Sequence, residues 1–311
     1  MESPTFQAVT VTLNPAVDCT VSIPRFTAGT VNRVKTAEYH PGGKGVNVAS
    51  TLADLGHQTS VTGFLGRDNS AMFQDLFASK NIHDDFILLP GSTRTGIKIA
   101  DAELDQTTDI NFPGLSPSRE KFRELMDRIE TLNATWFVLS GSLPENVDAT
   151  IYRQLITTIR ARNIQVLLDT SAAPLCHALK AFPTAIKPNI HELSELVGSP
   201  LKTREEVFNA ASELLEKGIK LVVVSMGEDG ALFVTKEQTL TAKPPVIPVV
   251  STVGAGDAMV AGLIAGSLRG FDLESLARFS TACSMDAISR IGPRKSSQNN
   301  IEQHIPNVII S

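Results

Sequence analysis

The sequence predicts an α/β protein: a mostly parallel sheet with helices on both faces, and a second, smaller sheet beside it. Three observations carry this expectation. Strand-like and helix-like segments alternate through most of the 311 residues, the pattern of parallel strands joined by crossover helices. Several strands read as unbroken apolar runs, such as Val222-Val223-Val224, which burial on both faces requires. Two early stretches break the rhythm with short, polar, alternating strands. These suit a small sheet over one end of an open core better than they suit a closed barrel.

The elements follow from local pattern. Residues 8–13 (AVTVTL) form a strand that Asn14-Pro15 ends. Residues 19–23 and 31–38 are short alternating strands separated by Pro24 and Gly29, the first excursion. His40-Pro41-Gly42-Gly43 marks a tight turn, and Val46–Leu55 is a helix with apolar Val46, Ala49, Leu52, Ala53 and Leu55, stopped by Gly56. Val61–Leu65 is a strand, and Ser70–Ser79 a helix with Met72, Phe73, Leu76 and Phe77 on one face. Asp85–Leu89, Gly96–Asp101 and Thr108–Asn111 make the second polar excursion. Beyond it the alternation is regular: helix Ser118–Glu130, strand Trp136–Ser140, helix Ala149–Arg162, strand Val166–Asp169, helix Pro174–Ala181, strand Ala185–Lys187. Helices Ile190–Val197 and Arg204–Lys217 lead to strand Leu221–Ser225, then a hairpin from Ala231–Thr235 and Gln238–Thr241. A strand at Val246–Val250 and helices Ala255–Gly266 and Leu273–Ala287 close the series.

Composition narrows the function classes. Twenty-eight basic against 33 acidic residues give a formal charge of −5, which excludes a general nucleic-acid-binding surface and makes any anion site local. Cys19, Cys176 and Cys283 are widely spaced and odd in number, so neither a disulfide framework nor a structural zinc site is expected. No segment reaches membrane-spanning length; the apolar stretch Ala258–Leu268 is far too short. The N-terminus lacks a basic region followed by an apolar run, so a cytoplasmic protein is expected.

The sharpest chemical feature is Ser251-Thr252-Val253-Gly254-Ala255-Gly256-Asp257, between a strand and an apolar helix. Gly254, Ala255 and Gly256 let the backbone approach a ligand, and the free amides at the helix start can hold an anion. Asp257, in the first turn beside those amides, is placed to take a proton from a hydroxyl that attacks phosphorus; a glycine-softened turn with an ordinary first-turn Asp is the alternative. His40-Pro41-Gly42-Gly43-Lys44-Gly45-Val46-Asn47 is neither a P-loop nor a dinucleotide fingerprint, yet it is a glycine turn into a helix with a lysine at the turn. Asp18, after Asn14-Pro15, could accept hydrogen bonds from sugar hydroxyls or merely close a turn. Lys187-Pro188-Asn189-Ile190-His191-Glu192 offers a phosphate contact in Lys187. Asn189 and Glu192 suit magnesium through water, and equally a helix-capping box. Ser140-Gly141-Ser142 and Ser225-Met226-Gly227 through Gly230 also follow strands, so several glycine- and serine-bearing loops meet at one sheet edge.

Together these segments resemble the ribokinase-like carbohydrate kinases and, within them, the phosphofructokinase B (PfkB) branch. The GGKGVN stretch at Gly42–Asn47, Gly63-Phe64-Leu65-Gly66-Arg67-Asp68, and STVGAGDAMVAGLIAG at Ser251–Gly266 carry the likeness, which covers almost the whole chain. The resemblance implies a Rossmann-like core with a small β lid from about residues 19–38 and 86–111, and a homodimer through that lid. It implies Asp257 as catalytic base with the Gly254, Ala255 and Gly256 amides as anion hole. Asp18, Gly43 and Asn47 match residues that grip sugar hydroxyls. Lys44, Arg94 and Ser142 match residues near the phosphate already on the substrate, and Arg33 could reach it across the dimer. Lys187 and Asn189 correspond to ATP-phosphate contacts and Glu192 to the magnesium-linked position. Ser225, Gly227, Gly230 and Ser284 would line the nucleotide pocket. Asp169-Thr170-Ser171-Ala172 lacks an arginine expected after the serine in some relatives. The implied reaction is ATP-dependent phosphorylation of D-fructose 1-phosphate at O6. Tagatose 6-phosphate or fructose 6-phosphate is the alternative acceptor, and a non-catalytic sugar-phosphate sensor the alternative of another class.

Overall fold

The structure, a computed structural model, describes residues 5–104, 106–245, 254–289 and 296–311. The expected strand Val246–Val250 and the loop Ser251–Val253 lie outside the described residues. In chain order the strands are β1 (Thr5–Thr12), β2 (Ala16–Ser22), β3 (Thr36–Gly42), β4 (Thr59–Gly66), β5 (His83–Leu89), β6 (Thr95–Asp101), β7 (Gln106–Asn111) and β8 (Asn133–Ser140). They continue as β9 (Gln165–Asp169), β10 (Ala185–Ile186), β11 (Leu221–Ser225), β12 (Ala231–Val234), β13 (Thr239–Lys243) and β14 (Ile309–Ile310). The helices are α1 (Lys44–Asp54), α2 (Ala71–Ser79), α3 (Arg119–Thr131), α4 (Ile151–Ala161) and α5 (Ala172–Ala178). They continue as α6 (Ile190–Val197), α7 (Arg204–Glu216), α8 (Ala255–Leu268), α9 (Leu273–Ile288) and α10 (Gln298–His304).

The large sheet is open, ordered β14-β13-β12-β11-β10-β9-β8-β1-β4-β5. From β11 to β5 every neighbouring pair is parallel, and β12, β13 and β14 extend it antiparallel. The apolar runs have the expected cause. Val9, Val11, Phe137, Leu139, Val166, Leu168, Val222 and Val224 face one core, shared with Leu125 and Ile129 of α3 and with Tyr152 and Leu155 of α4. Their alternates Ala8, Val138, Leu167 and Val223 face a second core with α1, α8 and α9. Each fully buried Val, Leu or Phe side chain among them contributes about 1.5–3 kcal/mol of transfer free energy. Helix α8 is buried from Asp257 to Gly266, a helix apolar all round because it lies inside the layer. Among the described residues no helix is long and apolar enough to cross a membrane.

The small sheet has the order β3-β2-β6-β7. Two expectations shift here. Asp85–Leu89 belongs to β5, which pairs parallel with β4 at the edge of the large sheet rather than joining the small one. Phe86, Ile87 and Leu89 are buried there, and the polar start of the strand (His83, Asp84, Asp85) disguised its apolar end. The expected strand at 31–38 starts later, at Thr36, and runs through His40-Pro41-Gly42. Residues 27–32 are instead tied into a loop by Asn32, whose side-chain oxygen accepts from the Thr27 amide and whose Nδ2 donates to the Thr27 carbonyl. Pro41 is tolerated because β3 is an edge strand. Helix α10 and strand β14 were not expected; β14 covers the edge of β13.

Each face of the small sheet has its own character. The register aligns Tyr39, Cys19, Ile97 and Ile110 in one row across the four strands, and His40, Asp18, Gly96 and Asn111 in the next. The first row lies on an apolar face and the second on a polar face.

Candidate active site

The carboxyl ends of β1, β8, β9, β10 and β11 open on the N-termini of α1 and α8. Parallel strands place these ends together, where open α/β sheets bind ligands. The start of α8 is shaped by Gly254, its N-cap, at φ +78, a left-handed conformation that costs glycine nothing. Gly256 follows, and a Cβ there would lie 3.4 Å from Lys187 Nζ. The bare backbone of the first turn therefore stands directly against a lysine.

Asp257 sits in that first turn, 8% exposed. Its Oδ2 accepts a hydrogen bond from Asn47 Nδ2 at 2.8 Å, so α1 and α8 are joined at their N-terminal ends. Burial pushes its carboxyl up to about 6, and the negative charge of Asp169 adds to this; the Asn47 bond, Lys44 and Lys187 pull the other way. A carboxylate held near 6 is a better proton acceptor than an exposed aspartate, yet is mostly ionised at neutral pH.

Asp169 ends β9 and is 1% exposed. Lys44 Nζ lies 3.3 Å from its Oδ2 and Lys187 Nζ 3.4 Å from its Oδ1. Burial alone would raise the Asp169 carboxyl, but the two lysines hold it below the ordinary carboxylate range. For Lys44, burial acts downward, and Asp169, Asp257 and Glu192 more than offset it, so its ammonium stays charged. Two lysines and two helix N-termini thus face two carboxylates, a field that favours further anions.

A second group forms where the two sheets meet. Gly43, at φ +110, packs so closely that a Cβ would lie 2.9 Å from Pro15 Cα. Asn14 Nδ2 donates to Ser142 Oγ at 3.1 Å. Arg94 Nη2 reaches the Asn14 carbonyl at 3.3 Å, and its Nη1 reaches Phe112 O at 3.4 Å and Asn111 Oδ1 at 3.5 Å. Arg94 Nε is buried without a hydrogen-bond partner among the described residues. A small cleft beside Arg94 is lined by Asn14, Pro15, Phe64, Gly66, Thr93 and Leu115. Asp18, on the polar face of the small sheet, is raised by burial and held back by Lys98, Arg94 and His40.

On the other side of the edge, Asn189 bridges to Ser225 of β11. The capping box forms: Asn189 Oδ1 accepts from the Glu192 amide and Glu192 Oε2 from the Asn189 amide, both at 2.8 Å. Ser284 Oγ donates to the Ala255 carbonyl at 2.8 Å, tying α9 to the start of α8. Gly227 opens a 3-10 turn after β11. Gly230 has a packing reason of its own, since a Cβ would lie 2.1 Å from Ala242 O. Arg33 is exposed in the loop between β2 and β3, with no partner among the described residues. Asp169 had no role in the sequence reading; its only signal there is an acidic residue closing an apolar strand at the ligand-binding edge.

Among the described residues no group of three or more His, Cys, Asp or Glu could hold a metal ion. Glu192 has one carboxylate oxygen engaged in capping, and the other takes no hydrogen bond among the described residues. That donor set fits a magnesium ion held chiefly by phosphates and water, with Glu192 reached through water.

An open doubly wound sheet whose ligand edge carries a buried base, a glycine-opened helix start and paired lysines is the architecture of a small-molecule kinase. A family model described as pfkB family carbohydrate kinase matches residues 10–300, and the chain belongs to that family. The 1-phosphofructokinase of Rhodobacter capsulatus is 46% identical over 292 residues, spanning 93% of this chain and 92% of that protein. The 1-phosphofructokinase of Xanthomonas campestris pv. campestris is 42% identical over 311 residues, spanning 98% of each. The crystal structure of phosphofructokinase-2 from Escherichia coli in complex with fructose-6-phosphate superposes with a TM-score of 0.89 at 28% identity, covering 97% of this chain and 98% of that one.

Proposed function

We propose that this kinase transfers the γ-phosphoryl group of ATP to O6 of D-fructose 1-phosphate, giving D-fructose 1,6-bisphosphate and ADP. The observation that carries the chemistry is Asp257, buried and raised to about 6 at the glycine-opened start of α8. The acceptor assignment is supported by relatives named 1-phosphofructokinase that align along more than nine-tenths of the chain.

In this reading the free hydroxyl of the sugar lies against Asp257, which takes its proton as the oxygen attacks phosphorus. The amides of Gly254, Ala255 and Gly256 hold charge that develops on the transferred group. Lys187 and Asn189 meet the ATP phosphates, and Ser225, Gly227, Gly230 and Ser284 line the nucleotide side. Lys44, which shares Asp169 with Lys187, joins in holding the phosphate already on the acceptor. Asp18, Gly43 and Asn47 hold sugar hydroxyls; Arg94 and Ser142 hold the phosphate already present. Magnesium, when bound with ATP, neutralises phosphate charge, with Glu192 the residue that reaches it through water. The small sheet serves as a lid whose polar face closes on the sugar and excludes water. A pure sensor of sugar phosphates has no need of a buried base at the hydroxyl.

A second reading keeps this chemistry and reverses the sugar, with fructose 6-phosphate or tagatose 6-phosphate as acceptor; it is favoured by the match to the fructose-6-phosphate complex. ADP release with Mg-ATP and the three sugar phosphates, each below saturation, separates the readings. A kcat/KM for fructose 1-phosphate at least about tenfold above the others, about 1.4 kcal/mol of discrimination, is expected. Preference for a 6-phosphate would overturn the acceptor and leave the base in place.

The apolar face of the small sheet supports a homodimer through the lid. Tyr39 and Ile110 on that face, with Val31 and Val34 in the adjoining loop, are exposed, and a second copy would cover them. Arg33 lies between those two valines and in such a dimer reaches the partner's site. Tyr39→Asp with Val34→Asp is expected to convert a dimer to a monomer in sedimentation at micromolar concentration. An unchanged sedimentation coefficient would move the interface elsewhere. The need for ATP supports the cytoplasm as the compartment.

A further inference from the structure

The chain crosses between the two sheets at Asn14-Pro15, Gly42-Gly43, Thr93-Arg94 and Phe112-Pro113-Gly114. Asn14 touches two of the other crossings and the loop after β8. Its main-chain carbonyl accepts from Arg94 Nη2 at 3.3 Å. Its side-chain Nδ2 donates to Ser142 Oγ at 3.1 Å and to Leu143 O at 3.4 Å. Its Oδ1 lies against Gly114, where a Cβ would come within 2.0 Å. One residue therefore ties together an arginine from the lid side, a serine from the core side and the returning lid crossing.

The chemistry of these bonds has a direction. The Ser142 hydroxyl accepts from Asn14, which leaves its own proton free to donate. Arg94 donates to carbonyls at 3.3–3.4 Å, at or beyond the long end of the usual range, and its Nε is buried without a partner among the described residues. Both groups are thus donors with capacity to spare, and a phosphate is a stronger acceptor than the carbonyls Arg94 now holds.

We propose that Asn14 is a positioning residue for the phosphate the acceptor already carries: it aims the Ser142 hydroxyl and fixes the Arg94 guanidinium, linking lid position to acceptor binding. The proposal rests on the reading of Arg94 and Ser142 given under Proposed function. It differs from a packing role in one respect. Asp is the same shape as Asn, so Asn14→Asp preserves packing against Gly114. It nevertheless replaces the donor to Ser142 with a negative charge that draws the serine proton to itself and repels a phosphate.

The test is steady-state kinetics with ATP and whichever of the three sugar phosphates gives the highest kcat/KM, on Asn14→Ala, Asn14→Asp, Gly114→Ala and Arg94→Ala. Asn14→Ala is expected to raise the acceptor KM about fivefold, the loss of one aimed hydrogen bond from Ser142 to the phosphate, about 1 kcal/mol. Asn14→Asp should raise it further, and the ATP KM should stay within about twofold in both. Gly114→Ala, which pushes on the Asn14 side chain, should reproduce the acceptor defect, and should add nothing in the Asn14→Ala background. An Asn14→Asp enzyme no worse than Asn14→Ala, or parallel rises in both KM values, would overturn the proposal. Arg94→Ala separates the two levels. If it leaves the acceptor KM unchanged, the reading of the phosphate site itself falls; if it raises that KM while Asn14→Asp does not, only the role of Asn14 falls.

Discussion

Asp257→Asn is expected to lower kcat by about 10²–10⁴-fold, the range for loss of a positioned general base, while making the protein more stable. Asparagine keeps the shape and can still accept from Asn47 Nδ2, now 2.8 Å from the Asp257 carboxylate, so both substrates should still bind. It cannot take a proton. The stability gain follows from linkage. The carboxyl is raised from 3.8 to about 6 by burial and by Asp169, so the folded state disfavours the ionised form. The relative cost sets in as pH rises past about 4, grows up to about 6 and levels off above it at about 3 kcal/mol. Asp257→Asn should therefore melt several degrees higher at pH 8 and show no gain at pH 4. The unaltered enzyme should lose turnover as pH falls below about 6, when the base is protonated. A variant that keeps more than about a tenth of its turnover would remove Asp257 from the proton-transfer step.

The parts of this site legible in the sequence are those fixed by local pattern. A glycine turn followed by an apolar helix announces α1 and α8, because backbone that must approach a ligand needs small residues and a helix start needs something to pack on. Asn189 and Glu192 were legible as a capping box because a cap depends only on a spacing of three residues. Asp169 was not legible. Its place is set by the register β8-β9-β10 and by two lysines on separate elements, and nothing within Val166–Asp169 announces them. The same limit explains β5. Its strand character is visible, but its partner, β4, is a parallel neighbour reached through a helix, so the sheet it joins cannot be read from its own alternation. Asn14 read as a turn residue because Asn-Pro commonly ends strands. Its contacts to Ser142, Arg94 and Gly114 come from chain crossings far away in sequence.

Asp169→Asn is expected to weaken the fold and to move the pH profile of catalysis in the acid direction. Lys187 is 4% exposed and has Asp169 Oδ1 3.4 Å away. Removing that charge leaves a buried ammonium without its counter-ion, a change that costs about 3–5 kcal/mol in comparable buried pairs. Lys44 is better placed to adapt because its side chain is partly exposed. The denaturation midpoint in urea should fall accordingly at neutral pH. The second effect has the opposite sign. Asp257 is raised by burial first and by Asp169 next, against the pull of Asn47, Lys44 and Lys187. With Asp169 neutral, the repulsion disappears while both lysines remain, so the Asp257 carboxyl falls from about 6 toward the ordinary range. Measured as kcat against pH, the acid limb should shift downward, and the variant should keep a larger fraction of its own maximum at pH 5 than the parent does. A base with a lower pKa also abstracts a proton less readily, so kcat on the plateau should drop even where both forms are fully ionised. A limb that stays near 6 would show that burial alone holds Asp257 up, and would leave Asp169 as the counter-ion of two lysines with no part in tuning the base.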